Sequence, residues 1–296
     1  MGRPDFSIVV LTHRRDDVLQ RQFEVLAAAT AGRASELILV DNNPDDRDRA
    51  PPARLGLACR VVKPGCNLGV AAGRNRGAAV ARGRWLVFVD DDALFASPDP
   101  LGVVEATFRQ HEGTGILAFR SLVGDSGRID RSEFPHTDKR RDPLVPFDTF
   151  RFIGVGFAVR AEVFDTVGGF CEDFFYGMEE FDFAYRAIRA GFRIRYEPRI
   201  VVRHYRHRAG RIAPGERYYR YWLNKMKVNY RNLPARYVWG AALPWSAYVL
   251  VRAGPLVLGR AVRDFLRWRR AAAEQRQVLD GRALAYLRQV GANLYR

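Results

Sequence analysis

Short unbroken apolar runs punctuate the first 120 residues. Ser7-Ile8-Val9-Val10-Leu11, Leu37-Ile38-Leu39-Val40, Arg60-Val61-Val62, Trp85-Leu86-Val87-Phe88-Val89 and Ile116-Leu117-Ala118-Phe119 are rich in β-branched and aromatic residues. Runs of this kind predict strands buried on both faces. Between them the apolar spacing changes. Leu19, Phe23 and Leu26 follow an i, i+4, i+7 pattern, which predicts a helix that Asp16 is placed to cap. The small-residue stretch 70–82 and the stretch 101–111 also read as helices. Alternating strands and helices predict an α/β fold, with a mostly parallel sheet joined by right-handed crossovers. Ligands bind such sheets beyond the carboxyl ends of the strands, where Asp41 and Asp90 fall.

Residues 121–150 lose all period and read as loops with room for a hairpin, a length that often marks a functional segment. Order returns at Gly154–Val159, with a helix from Glu162, a turn at Gly168-Gly169, a helix over Phe181–Ala190 and a strand at Ile200-Val201-Val202. From Glu216 onward the pattern is helical with proline breaks. Tyr237–Val262 has the length of a membrane span but carries Pro244, Arg252 and Pro255. It therefore predicts an interfacial anchor, with Trp239, Trp245 and Tyr248 at headgroup depth. The competing reading is a helical subdomain packed on the rest of the chain.

Charge sharpens this division. The 296 residues hold 48 Lys+Arg against 33 Asp+Glu, a net +15. Residues 1–192 sum to −3 and residues 193–296 to +18, so the excess belongs to the last third. Such asymmetry points to a polyanionic partner, here an anionic membrane surface. Cations beside aromatics also suit nucleic acid, but no RNA- or DNA-binding motif is present, and no nucleic-acid partner is expected. A 48% hydrophobic content excludes disorder as the main state. Three cysteines exclude a disulfide scaffold and favour a reducing compartment. No apolar leader segment is visible at Met1–Asp5. The expected location is cytoplasmic, peripheral on the inner face of the cell membrane.

Three constellations carry chemistry. Asp90-Asp91-Asp92 follows a buried strand directly, and adjacent carboxylates repel unless a cation compensates. Oxygen ligands suit Mg²⁺ or Mn²⁺, with substrate phosphates completing the shell. The plainer reading is a solvated acidic turn. In the second, Glu179, Asp182 and Arg186 share one helix face and Glu180 points elsewhere. A carboxylate in partly apolar surroundings is a general-base candidate. In the third, Asn67-Leu68-Gly69 leads into Gly73-Arg74-Asn75-Arg76-Gly77. This segment suits either anion binding at a helix N-terminus or tight helix–sheet packing.

These pieces, with the Ser7–Thr12 strand, Val40-Asp41-Asn42-Asn43 and Gly168-Gly169-Phe170, occur in an order that resembles the GT-A glycosyltransferases of family 2. The resemblance spans roughly residues 6–205 and is nearest to bacterial rhamnosyltransferase-like members. It implies a GT-A catalytic domain over 1–212, with a nucleotide-sugar half at about 1–120 and an acceptor half at about 121–212. A basic helical region, 213–296, follows. It further implies that Thr12, Asp41, Asn67, Arg74, Asp90 and Asp91 bind the nucleotide sugar. Asp92, Asp90 and His204 would hold Mg²⁺ or Mn²⁺, with His207 competing for the histidine's place. Glu180 would be the catalytic base, with Glu179 the neighbouring candidate. The implied reaction transfers one sugar, with inversion, from a UDP- or dTDP-sugar to a lipid-linked, glycan or small-molecule acceptor. The Gln-x-x-Arg-Trp motif of processive synthases is absent. A nucleotidyltransferase would carry a glycine-rich loop after the first strand, whereas Thr12-His13-Arg14-Arg15 contains no glycine. A non-catalytic basic membrane- or nucleic-acid-binding protein is the remaining alternative.

Overall fold

The computed structural model describes residues 2–206 and 212–295. His207 lies outside the described residues. The first part runs β1 (Phe6–Thr12), α1 (Asp16–Thr30), β2 (Ser35–Asp41), β3 (Cys59–Val62), α2 (Gly69–Val80), β4 (Trp85–Val89), β5 (Ala93–Phe95) and α3 (Pro100–Gln110). The second runs β6 (Thr114–Val123), β7 (Arg128–Ile129), β8 (Phe147–Thr149), β9 (Gly156–Arg160), α4 (Ala161–Val167), α5 (Glu179–Arg189) and β10 (Arg193–His204). Helices α6 (Pro214–Asn232), α7 (Ala235–Ala253), α8 (Pro255–Ala271) and α9 (Gly281–Gln289) follow.

The strands form one mixed sheet of order β3-β2-β1-β4-β9-β6-β10-β5. The expected parallel arrangement holds for β3, β2, β1 and β4. Strand β9 then enters antiparallel to both β4 and β6. An apolar run shows that a strand is buried but not which way it points. The segment 121–150 is partly ordered: β7 closes a hairpin on β6, and β8 pairs with the edge of β10. Strand β10 is longer than the Ile200–Val202 run, because its first half alternates Arg with Ile and Tyr and its register shifts between Glu197 and Val201.

Asp16 does not cap α1. It lies in the first turn, and its carboxylate accepts hydrogen bonds from Arg49 Nε at 2.5 Å and Arg47 Nη1 at 3.0 Å. The α2 glycines serve packing. A Cβ on Gly73 would lie 2.6 Å from Leu11 Cδ1, and one on Gly77 2.4 Å from Val9 Cγ1. The helix can therefore seat on β1 only through glycine.

Alternate residues of the buried strands feed two apolar layers, one on each face of the sheet. One contains Val9, Ile38, Phe88, Phe157 and Phe183; the other contains Ile8, Val10, Phe23, Leu101 and Phe108. The chain's end joins the first layer through Leu279, Ala283, Leu284 and Leu287. Helices α6, α7 and α8 build a third cluster around Trp222, Met226, Val249 and Phe265. Among the described residues, no helix is long and apolar enough to cross a membrane.

Candidate active site

The carboxyl ends of β1 and β2 carry Thr12 and Asp41 side by side in register. Both are fully buried. Asp41 Oδ1 accepts from Asn43 Nδ2 at 2.7 Å, and Oδ2 accepts from Arg49 Nη1 at 3.1 Å. Arg49 also grips Asp45 at 2.6 Å, so Asp41 is locked by a charge network of its own loop. Asn67 shapes the entry to α2. Its Oδ1 accepts from Gly69 N at 2.9 Å and from Asn42 Nδ2 at 3.4 Å. Gly69 has φ +78°, and a Cβ there would lie 2.4 Å from the Phe175 carbonyl oxygen, so this turn requires glycine.

Asp90, Asp91 and Asp92 leave β4 with different surroundings. Asp90 is about one-third exposed, with its side chain 35% accessible, whereas Asp91 and Asp92 are buried. Arg15 Nη1 pairs with Asp91 at 2.6 Å and with Asp92 at 2.9 Å. Burial pushes the Asp91 carboxyl up to about 7, with Arg15 pulling the other way. The end of β10 brings His204 Nε2 to 3.4 Å from Asp92 Oδ1, while its Nδ1 bonds Glu133 at 2.7 Å. Burial opposes charge on the ring, yet Asp92 and Glu133 push its pKa up to about 10. Both carboxylates favour the charged ring, and the imidazole ligates a metal only in its neutral form.

Glu179 and Glu180 open α5 after Met178, which stands at φ +73°. Glu179 turns inward and is almost wholly buried, while the Glu180 side chain keeps 18% of its surface open. Burial, and then the charge on Glu180, raises the Glu179 pKa well above its ordinary 4.5, with Arg74 opposing. Arg74, buried on α2, ties the two acidic elements together. It reaches Glu179 at 3.2 Å, Asp90 at 3.3 Å and Glu180 at 3.8 Å, and donates to the Gly154 carbonyl at 2.9 Å. A Cβ on Gly154 would lie 2.5 Å from both Arg74 Nη2 and Glu180 Oε1, so a larger residue would push these two side-chain ends aside.

The site geometry therefore sits at the carboxyl end of a βαβ half, with an acidic turn after β4 facing an acidic helix start. The sequence model of "Glycosyl transferase family 2" matches residues 7–168, more than half of the chain. The chain belongs to glycosyl transferase family 2. The pre-mycofactocin glycosyltransferase of Mycobacterium tuberculosis is 30% identical to this family 2 enzyme over 145 residues, 46% of this chain and 30% of that protein. Among solved structures, a mannosyltransferase from Pyrobaculum calidifontis in complex with GDP-Man and Mn²⁺ aligns with TM-score 0.59 and 20% identity, over 98% of this chain and 80% of that one. S. aureus TarS 1–349 in complex with UDP-GlcNAc aligns with TM-score 0.61 and 16% identity, over 98% and 89%. At these identities the likeness is one of fold, GT-A.

Within the transferase fold, Thr12, Asp41 and Asn67 stand at the β1–β2 end. Asp90, Arg74, Glu179 and Glu180 form a connected group, and Asp92 with His204 lies beside it. Asp182 and Arg186 do not join them. They pair at 2.9 Å, Arg186 donates to the Gly169 carbonyl, and Asp182 receives Arg231 at 3.2 Å from α6. That helix face fastens the C-terminal region rather than serving the site. Three site residues escaped sequence reading: Arg15, Glu133 and Gly154. Arg15 sits in a loop read only for its missing glycine, and Glu133 lies in the unpatterned 121–150 segment. Gly154 marks only the start of a strand run, and its role depends on what faces it.

Proposed function

We propose that this family 2 enzyme transfers one sugar, with inversion, from a nucleoside-diphosphate sugar, UDP- or dTDP-linked, to a hydroxyl of a lipid-linked, glycan or small-molecule acceptor. The observation that carries the reading is the Arg74 bridge, which holds the donor-side Asp90 and the Glu179–Glu180 pair in one polar site. The aligned mannosyltransferase and TarS structures are complexes with GDP-Man and UDP-GlcNAc, which supports a nucleotide-sugar donor.

In this reading Thr12, Asp41 and Asn67 frame the nucleotide pocket, and Asp90 meets the ribose or the metal. Asp92, Asp90 and His204 are the residues that would hold Mg²⁺ or Mn²⁺. These side chains offer hard oxygens and one imidazole, but among the described residues no three such ligands are gathered closely enough to hold an ion by themselves. An ion that keeps one or two carboxylates and takes the rest of its shell from diphosphate suits such a site. When bound, the ion neutralises charge on the departing diphosphate. Glu180, the more open carboxylate, takes the proton of the acceptor hydroxyl. That oxygen attacks the anomeric carbon, and the bond to diphosphate breaks with its electron pair on the leaving group. Glu179, behind it, positions Arg74.

Thermal melting tests this reading. UDP or dTDP with Mn²⁺ should raise the melting temperature, and a ligand at a hundred times its Kd contributes about 2.7 kcal/mol. A chelator or Asp92→Asn should remove most of the shift. No shift with any nucleoside diphosphate overturns the reading.

We also propose that α7 and α8 rest on an anionic membrane surface, on the cytoplasmic face. Leu243, Val251 and Leu256 are 79%, 83% and 88% exposed. An open groove of about 630 Å³ is lined by Leu250, Pro255, Leu258, Val262 and Leu266 together with Arg263, Arg267 and Arg270. Apolar insertion bordered by cations matches an anionic interface. The enzyme should co-sediment with vesicles containing phosphatidylglycerol and not with pure phosphatidylcholine. Val251→Glu with Leu256→Glu should abolish that binding. Equal sedimentation with both vesicle types would refute the electrostatic part, and an unaffected double variant the apolar part.

A further inference from the structure

Two cations packed on the Phe181 ring, buried Lys225 and half-buried Arg151, have no ion-pair partner among the described residues. Lys225, on α6, is 5% exposed, and its ammonium makes no hydrogen bond or ion pair among the described residues. It stands 5.6 Å from the Phe181 ring centroid and 5.8 Å from that of Trp245 on α7. Arg151, between β8 and β9, lies over the same Phe181 ring with Cζ at 5.4 Å. Its Nη2 donates to the Phe134 carbonyl at 2.8 Å, whereas its buried Nε finds no acceptor. Phe181 directly follows Glu180, so both cations flank the residue next to the proposed base.

A buried charge without a counterion is costly, and Lys225 is moreover repelled by half-buried Arg151. Burial, reinforced by Arg151, pushes the Lys225 ammonium down to about 8. Burial likewise lowers Arg151, with Glu180 the first carboxylate opposing it. An anion seated between the cations would relieve this cost. Arg supplies a planar fork with several donors and Lys a compact point charge, a combination suited to an oxyanion. Two unpaired positive charges match a phosphate dianion better than a single carboxylate.

We propose that Lys225 and Arg151 form a phosphate seat on the acceptor side of the site, so that the acceptor presents its hydroxyl to Glu180 while its phosphate rests between them. The acceptor assignment rests on the transferase reading; the seat itself does not. Lys225 and Trp245 come from α6 and α7, so the basic C-terminal region completes the acceptor site in addition to any docking role.

The test titrates inorganic phosphate into the full-length protein by calorimetry, with and without saturating UDP and Mg²⁺. Expected is binding that persists when UDP is bound, weakens at least tenfold in Lys225→Gln and Arg151→Gln, and is kept in Lys225→Arg. Acetate should bind more weakly than phosphate. Absence of phosphate binding, equal binding by Lys225→Gln, or displacement of phosphate by UDP each overturns the seat. Failure of UDP to bind while phosphate does would instead count against the transferase reading alone. Should the glutamine variants fail to fold, amine acetylation of the wild-type chain decides. Phosphate should protect Lys225 relative to Lys63, Lys139 and Lys227, and unchanged labelling overturns the proposal.

Discussion

Glu180→Gln should lower sugar transfer by about 10²- to 10⁴-fold, the range a positioned general base contributes, while donor binding stays intact. The substitution keeps side-chain size and removes only the capacity to take a proton. Glu180 lies 3.8 Å from Arg74 and is the more open of the pair, so an acceptor hydroxyl can reach it. Glu179 is 2% exposed and engaged by Arg74 at 3.2 Å, which makes it a positioning residue. Glu179→Gln should therefore reduce transfer less. Steady-state rates, with donor affinity measured separately by calorimetry, check this. A Glu179→Gln variant that collapses while Glu180→Gln keeps near-normal rates would move the base to Glu179.

Arg74→Met should destabilise the protein by about 3–5 kcal/mol, because removing one partner leaves buried carboxylates uncompensated. For a domain of this size that corresponds to a melting temperature lower by roughly 10 °C. The effect should depend on pH. Burial and Glu180 hold the folded Glu179 pKa above the ordinary 4.5, so the folded state keeps a proton that the unfolded chain has lost. A carboxyl raised in this way lowers stability as pH climbs from 4.5 toward its folded value. Arg74 opposes the rise, so without it the folded pKa climbs further. The Glu179 part of the Arg74→Met deficit should be constant from pH 4.5 to about 8, where both folded forms keep the proton, and widen above it. Melting curves from about pH 6 to 10 decide. A deficit that stays flat above about pH 8 would show that Arg74 acts through packing on Phe157 and Phe170 rather than through charge.

Both predictions depend on a contact that spacing along the chain does not contain. Arg74 and Glu179 are 105 positions apart, yet they share a hydrogen bond. In the sequence Arg74 sits in a glycine-rich helix start and looks like a phosphate ligand. In the fold, Gly73 and Gly77 bring α2 close to β1, and the guanidinium donates to the Gly154 carbonyl beside the acidic group. Tight packing is observed at Gly73 and Gly77, and donor binding by Arg74 stays a proposal. Asp16 shows the same limit: it has the composition of a cap, but Arg47 and Arg49 compete for it and win.

The linear pattern by itself determined the buried strands of the nucleotide half, their helices and the positions of Asp41 and Asp90 at strand ends. Those features follow from local periodicity, and desolvation of a β-branched run makes a strand wherever it packs. It also placed the acidic pair at the start of a helix and the charge in the last third. Only the tertiary structure decided the reversal of β9, the separate uses of Glu179 and Asp182, and the partners of Arg15, Glu133 and Gly154. It alone brought Lys225 of the basic region onto the Phe181 ring of α5. Strand direction, and the choice of counterion for a buried charge, are settled by which surfaces meet across the core, and that information is spread over positions far apart in the chain.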